Sequence, residues 1–511
     1  MVVAAGALLA DNRGPMRRNL LALCPLALAL ACTETAATPD AATDASSDVT
    51  NDLAKPDAAA DAMVDAAPPL PPWPHELPPA RELGEVRGMT PRRVIVHAHS
   101  VHSHDACDGN PYVDGGPNEP CLQDFRRAIC QTRLDAVFLT EHAERIALVE
   151  LPTVLQMRPG DEPIMEGGAV VGSWVRCADG HRVMIIPGAE NELMPIGLRR
   201  HPDLVGGDLG RAYHADDPAG VQRFREAGAL VAIAHVEQST IERVRTLSPD
   251  LVEIYNIHAN IGPNIANIAS PDFNLGQALV DVLRFRNTES GLEPDLAFVS
   301  LFAENTNDLG KFAQLWSEGR AIPGIAASDA HQNAIPAVLS DGERGDSYRR
   351  VFRFFSNEVL VAGEFNRASA LEALRRGRSY VVFEAYGTPT GFSFHAQTRD
   401  GMAHEMGETV RMADGPEFVL RGPTLLLPRE PLAQPRVELR VYRAEGERWV
   451  MAQRWDGAAA AAGVRWTPPS PGAYRAEVRI TPEHARPYLP GLEARVRDVP
   501  WIYANPILIT P

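Results

Sequence analysis

Four of the chain's 15 histidines fall within eight residues, at His97, His99, His102 and His104, in the run VIVHAHSVHSHD that ends on Asp105. An apolar lead-in marks a strand, and on a strand residues two apart face the same side. His97 and His99 can therefore reach one metal ion, whereas His102 and His104 read as surface histidines on the following loop. His-x-His spacing is common by chance, but here ligand-type residues recur at the ends of apolar stretches. Glu141 and His142 close DAVFLTEH, Glu190 closes IIPGAE, His235 closes LVAIAH, and Asp329 and His331 repeat the two-residue spacing in GIAASDAH. Imidazole with carboxylate suits zinc, manganese or iron, and a shared glutamate favours more than one ion. Such ions bring the pKa of bound water toward about 7 and neutralise charge on a reacting oxygen, so the chemistry indicated is hydrolysis. No Ser-His-Asp or Cys-His arrangement, Gly-x-Ser-x-Gly turn or Gly-rich phosphate loop stands out. Arg199 and Arg200, close after Glu190, read as solvated surface residues rather than phosphate contacts.

The elements that must position these residues alternate. Apolar strands are expected at Arg93–Val96, Ala136–Thr140, Val183–Pro187, Ala229–Ala234, Leu251–Tyr255 and Ile325–Ala327, separated by longer helix-compatible or looped segments. Strand–helix alternation implies parallel strands with covering helices, as an α/β barrel or an open sheet. In both, functional groups gather at the carboxyl ends of the strands. A helix is expected at Ala368–Arg376, with Gly377 placed to end it. After residue 387 the texture changes: Val437–Val441 and Tyr474–Val478 alternate apolar and polar residues between Pro- and Gly-rich turns. That pattern predicts a small antiparallel β-sandwich over 388–511.

Ahead of the core, Met16-Arg17-Arg18 and a short apolar stretch describe a secretory signal over 1–31, with Met16 as an alternative start. The stretch LALAC ending on Cys32 is similar to a bacterial lipobox, in which the cysteine carries the lipid anchor. Residues 33–73 hold eight acids and one lysine among Ala, Thr and Pro. Such a segment cannot bury enough surface to offset its ordering entropy and self-repels into an extended tether, taken to run over 32–88. The remaining Cys107, Cys121, Cys130 and Cys177 are even in number, as suits an oxidising compartment. Their pairing is open in the sequence, with the short Cys107–Cys121 loop the first choice. The net charge of −17 argues against a nucleic-acid partner. The chain is thus expected to be exported and lipid-anchored at the cell envelope.

The succession HxH, TEHA, PGAE, IAH and SDAH, in that order, resembles the PHP (polymerase and histidinol phosphatase) superfamily of metal-dependent phosphoesterases over about 90–385. The resemblance implies an α/β fold, a distorted (β/α)7 barrel spanning 89–387, with a di- or trinuclear centre of divalent transition metals. The closing stretch PWIYANPI is similar to the β domain appended in some secreted members. Carried across, His97, His99, Glu190 and Asp329 would hold one ion. Glu190 would bridge to a second that His235 also binds, and Asp105, His142 and His331 would hold a third. A water activated between Glu190 and Asp329 would attack a small phosphorylated substrate. A carboxylic or carbamic ester is the alternative substrate, and a non-catalytic metal-binding surface lipoprotein the alternative role. Members usually carry a further histidine between the Glu190 and His235 motifs. It is missing here, with His201, His214 and His258 as distant substitutes.

Overall fold

The computed structural model describes residues 70–257, 259, 274–426 and 432–511. The signal segment, Cys32, all but the end of the tether, and His258 lie outside the described residues. Seven strands carry the candidate site: β1 (Met89–Ala98), β2 (Ala136–Leu139), β3 (Arg182–Ile186), β4 (Leu193–Ile196), β5 (Leu230–Ile233), β6 (Leu251–Asn256) and β7 (Gly324–Ala330). Their lateral order is β3–β2–β1–β7–β6–β5–β4, parallel throughout except for β4, which runs antiparallel to β5. Parallel strands are buried on both faces, which explains their near-continuous Val, Ile and Leu content.

Alternate residues of these strands enter two apolar clusters. Val94, Val96, Phe138, Met184, Ile186, Met194, Ile196 and Ile325 form one, together with Ala370, Leu371 and Leu374 of the helix Arg367–Arg375. Ile95, Val137, Ile185, Val231 and Ile233 belong to the other, with Leu122, Phe125 and Ile129 of α1 (Glu119–Gln131). Helix α1 starts where the Asn118 side chain accepts the Cys121 N–H, with Pro120 in its first turn. Burying each such large apolar side chain stabilises the fold by about 1.5–3 kcal/mol.

One isolated bridge, Gly188 to Ile196, links the end of β3 to β4. No strand ladder joins these edges, so the expected barrel is found as a mixed, bridged sheet and no closed barrel is formed among the described residues. Gly188 is required at this bridge, because a Cβ there would meet the Leu139 and Pro195 carbonyl oxygens at 2.6 Å.

The first half of β1 also pairs antiparallel with β8 (Ser356–Ala362), and β8 with β9 (Ser379–Val382). The helix between them ends at Gly377, whose φ of 67° is left-handed. Past residue 388 the described strands fall into two larger sheets and a two-stranded pair, Pro389–Thr390 with Thr424–Leu425. One larger sheet continues from β9 through Val499–Ala504, Gly472–Thr481 and Arg436–Glu445; the other is four-stranded. The larger sheets touch through Phe418 and Tyr474, ring centroids 5.4 Å apart. Asn505, in the closing motif, bonds both backbone groups of Gly324 and so ties the C-terminus to the start of β7. Pro71–Pro511 forms one compact unit. Disulfides join Cys107 to Cys121 and Cys130 to Cys177.

Candidate metal centre

The carboxyl ends of β1, β2, β3, β5 and β7 bring all eight expected ligand residues together. At β1 the register against both neighbours shifts between Val96 and Ala98, leaving His97 as a bulged residue. His97, His235 and Asp329 all have left-handed backbones, with φ of 63°, 49° and 49°. None is a glycine, and a side chain pays about 1–3 kcal/mol for such a conformation. Three strained residues at three strand ends, all of ligand type, mark the place where the fold gives up local stability. The pair Glu141–His142 runs parallel to Ala189–Glu190, setting His142 beside Glu190. His99 N–H donates to the Ala330 carbonyl, which draws the two i, i+2 pairs together.

Glu190 lies at the middle. Its Oε1 is 3.0 Å from His235 Nε2 and 3.4 Å from His97 Nε2; its Oε2 is 3.2 Å from His142 Nδ1 and 3.4 Å from His99 Nε2. Asp329 Oδ1 lies 3.1 Å from His97 Nε2 and 3.3 Å from His99 Nε2. On the far side, Asp105 Oδ1 is 3.1 Å from His142 Nε2 and 3.4 Å from His331 Nε2. Two groupings of ligand geometry result, with a third at their edge. One is His97, His99, Glu190 and Asp329, all buried; the other is His99, His142 and His331, beside which Asp105, His142 and His104 form a more exposed third.

The donor set fits a cation. The buried His97 Nε2, His99 Nε2 and Glu190 Oε2 make no hydrogen bond of ordinary geometry. Buried polar atoms are rarely left so, and several lone pairs converging on one volume is the arrangement of ligands around an ion. The electrostatics agree. Burial lowers His97, yet the carboxylates of Asp329, Glu190 and Glu253 outweigh it and hold the imidazole well above its ordinary value. Burial, then the neighbouring His331 and His142, push His99 down to about 3. Burial opposes ionisation of Glu190, but His97 and His235 keep it well below the usual carboxylate range.

Behind the ligands stand Glu253 and Ser103, which the sequence did not single out, and Glu141, which it did. Glu253 of β6 meets His97 Nδ1 at 2.6 Å. His99 Nδ1 faces Ser103 Oγ at 2.7 Å, and that hydroxyl donates to Glu141 Oε2 at 2.8 Å. The available signal was a carboxylate inside an otherwise apolar strand, in LVEIYN. His102 is a correction: it is buried, its Nδ1 accepting from Tyr112 Oη and its Nε2 3.1 Å from the Thr153 carbonyl, rather than at the surface. His104 is exposed, as expected for a loop histidine, yet it adjoins Asp105 and His142.

The substitutes for the missing histidine lie elsewhere. His201 is engaged on both nitrogens, with Tyr213 Oη at 2.8 Å and the Val149 carbonyl at 3.0 Å, and His214 pairs with Asn191. Arg199 pairs with Glu166 and Arg200 with Asp203, as solvated residues do. A further grouping, His75, Glu293 and Asp295, has its aspartate held by Arg349 and Arg350, whose charges oppose a bound cation.

No protein-family model and no curated protein matches the chain. A crystal structure of a two-domain protein from Bacteroides vulgatus, containing a predicted PHP-like metal-dependent phosphoesterase, is 13% identical. The match covers 77% of this chain and 92% of that one, with a TM-score of 0.32.

Proposed function

We propose that the chain is a metal-dependent hydrolase of phosphoesters, built on a distorted (β/α)7-type sheet that a single bridge rather than a strand ladder closes, with an appended β-sandwich. The observation that carries this reading is the meeting of eight imidazole and carboxylate side chains, Glu190 among them, at five strand ends. His97, His99, Glu190 and Asp329 would hold one divalent ion; Asp105, His142 and His331 would hold a second, with Glu190 between them. Among the described residues the His235 ring meets only members of the first group, His97, Glu190 and Asp329, and its neighbour Glu237, with no additional histidine, which favours two ions over three. When bound, the ions supply an acidified water and neutralise charge developing on phosphoryl oxygens. Glu190 Oε1 faces His97 and His235 and its Oε2 faces His99 and His142, so a single carboxylate touches both halves of the site. Asp105 keeps His142 and His331 facing each other across 3.4 Å.

The test is the metal-loaded full chain on p-nitrophenyl phosphate, bis-p-nitrophenyl phosphate and p-nitrophenyl acetate, with and without chelator. Phosphoester hydrolysis that chelator abolishes is expected. Activity confined to the acetate would replace the phosphoester with an acyl ester. Inactivity together with less than one ion per chain would leave a non-catalytic surface protein.

We further propose export and lipid anchoring at Cys32, with the acidic segment as a tether from the membrane. The LALAC stretch supports this, as do four core cysteines joined in two disulfides. Replacing Cys32 by Ala should move the protein from the membrane to the soluble fraction, and an unchanged distribution would exclude the anchor.

A further inference from the structure

We propose that Glu253 is the positioning residue of this centre, one buried carboxylate that orients His97 through its side chain and His235 through its backbone. The inference rests on the metal-dependent reading above. All six residues of β6 are buried, and Glu253 is fully enclosed. A carboxylate in such a strand is unfavourable unless its oxygens are satisfied. Both are: Oε1 lies 2.6 Å from His97 Nδ1, while Oε2 accepts the His235 N–H at 2.9 Å and the Asn256 side-chain amide at 3.2 Å. The register of β6 against β7 shifts just past Glu253, between it and Tyr255.

Two consequences follow from these contacts. In the neutral form that binds a metal ion, donating Nδ1–H to Glu253 leaves His97 with its lone pair on Nε2, the atom facing Glu190 and Asp329. A carboxylate partner also raises the ligand basicity of an imidazole. At His235 the same carboxylate holds the N–H of a residue with a left-handed backbone, fixing the turn that aims its Nε2 at Glu190. The ligands of β1 and β5, on opposite sides of β7 and β6 in the sheet, are therefore set by one side chain. His99 has no such direct partner, since the Ser103 hydroxyl stands between it and Glu141.

The test uses the full chain and cobalt(II), read by its visible absorption bands and by the rise in Tm that the metal causes. Glu253→Gln keeps the size but must turn an NH2 toward either the His97 Nδ1–H or the His235 N–H. Expected are a cobalt affinity lower by about 10–100-fold, shifted bands, and a smaller metal-induced rise in Tm. Wild-type affinity and spectrum in this variant would overturn the proposal. So would a lower Tm in the metal-free state with an undiminished metal-induced rise, which is the mark of a purely structural residue. Failure of the wild-type chain to bind cobalt would instead remove the metal-dependent reading, and this inference with it. Should the variant not fold, nitrogen-15 NMR of histidine in the zinc-loaded wild-type chain decides. His97 protonated on Nδ1 supports the proposal, and protonation on Nε2 overturns it.

Discussion

Replacing Cys107 and Cys121 together by Ser tests how the second ion position is held. The bridge spans a sequence separation of 14 residues. Closing a loop of that size removes unfolded-state entropy equivalent to about 3 kcal/mol at room temperature. The native state adds a local effect. Cys107 N–H donates to the His331 carbonyl and Asp108 N–H to the Gln332 carbonyl, both at 3.0 Å, so the bridged loop lies against the end of β7. Cys107 and Asp108 are both left-handed, with φ of 57° and 56°, conformations that an unbridged loop leaves readily. Asp105 lies just ahead of this loop, two residues from the bridge. His97, His99, Glu190 and Asp329 belong to strand ends and do not depend on it. Denaturant unfolding of the double variant should show a loss of about 3 kcal/mol. Metal analysis should show that it keeps one ion and loses the other. Unchanged stability, or equal loss of both ions, would refute the reasoning.

Glu190→Gln should strip the centre, because one carboxylate faces four histidines at 3.0–3.4 Å. Bound metal below one ion per chain and a fall in phosphoesterase activity beyond about 100-fold are expected, by metal analysis and p-nitrophenyl phosphate turnover. His201→Ala should leave metal content at the wild-type level while costing about 1–3 kcal/mol in denaturant unfolding, because it strands the Tyr213 hydroxyl. Asp295→Asn should cost about 3–5 kcal/mol, since the buried carboxylate binds Arg349 and Arg350 at 2.6–2.9 Å. Burial alone would raise the Asp295 carboxyl, but Arg353, His75 and Arg349 hold it well below the usual range. Its stabilisation is therefore complete above the unfolded carboxylate value of about 4 and is lost as pH falls toward the lower folded value. Tm against pH should fall more steeply below about pH 4 in the wild type than in the variant.

Much of the site was legible because ligand residues on parallel strands sit at strand ends, where an apolar run stops and a polar residue begins. That is why five stretches far apart in the chain named residues that meet in space. The antiparallel strand Leu193–Ile196 was not legible, since its apolar residues carry no mark of direction. The role of Glu253 was not legible for a different reason. A carboxylate that supports a ligand through one hydrogen bond has no required spacing from it along the chain, and Glu253 lies 156 residues from His97. His102 looked like a loop histidine because its partners, Tyr112 and Thr153, come from segments that pack against the loop only in the folded chain.

The sequence by itself determined which side chains can bind a cation, the strands that carry them, and the helix ending at Gly377. These are local matters of residue type, apolar period and backbone permissiveness. Tertiary structure alone decided that Glu190 stands between two ligand groups, that Cys130 pairs with Cys177, and that Glu253 backs His97. Each depends on distances between strands remote in sequence, and those distances are set by packing and register, which no local pattern encodes.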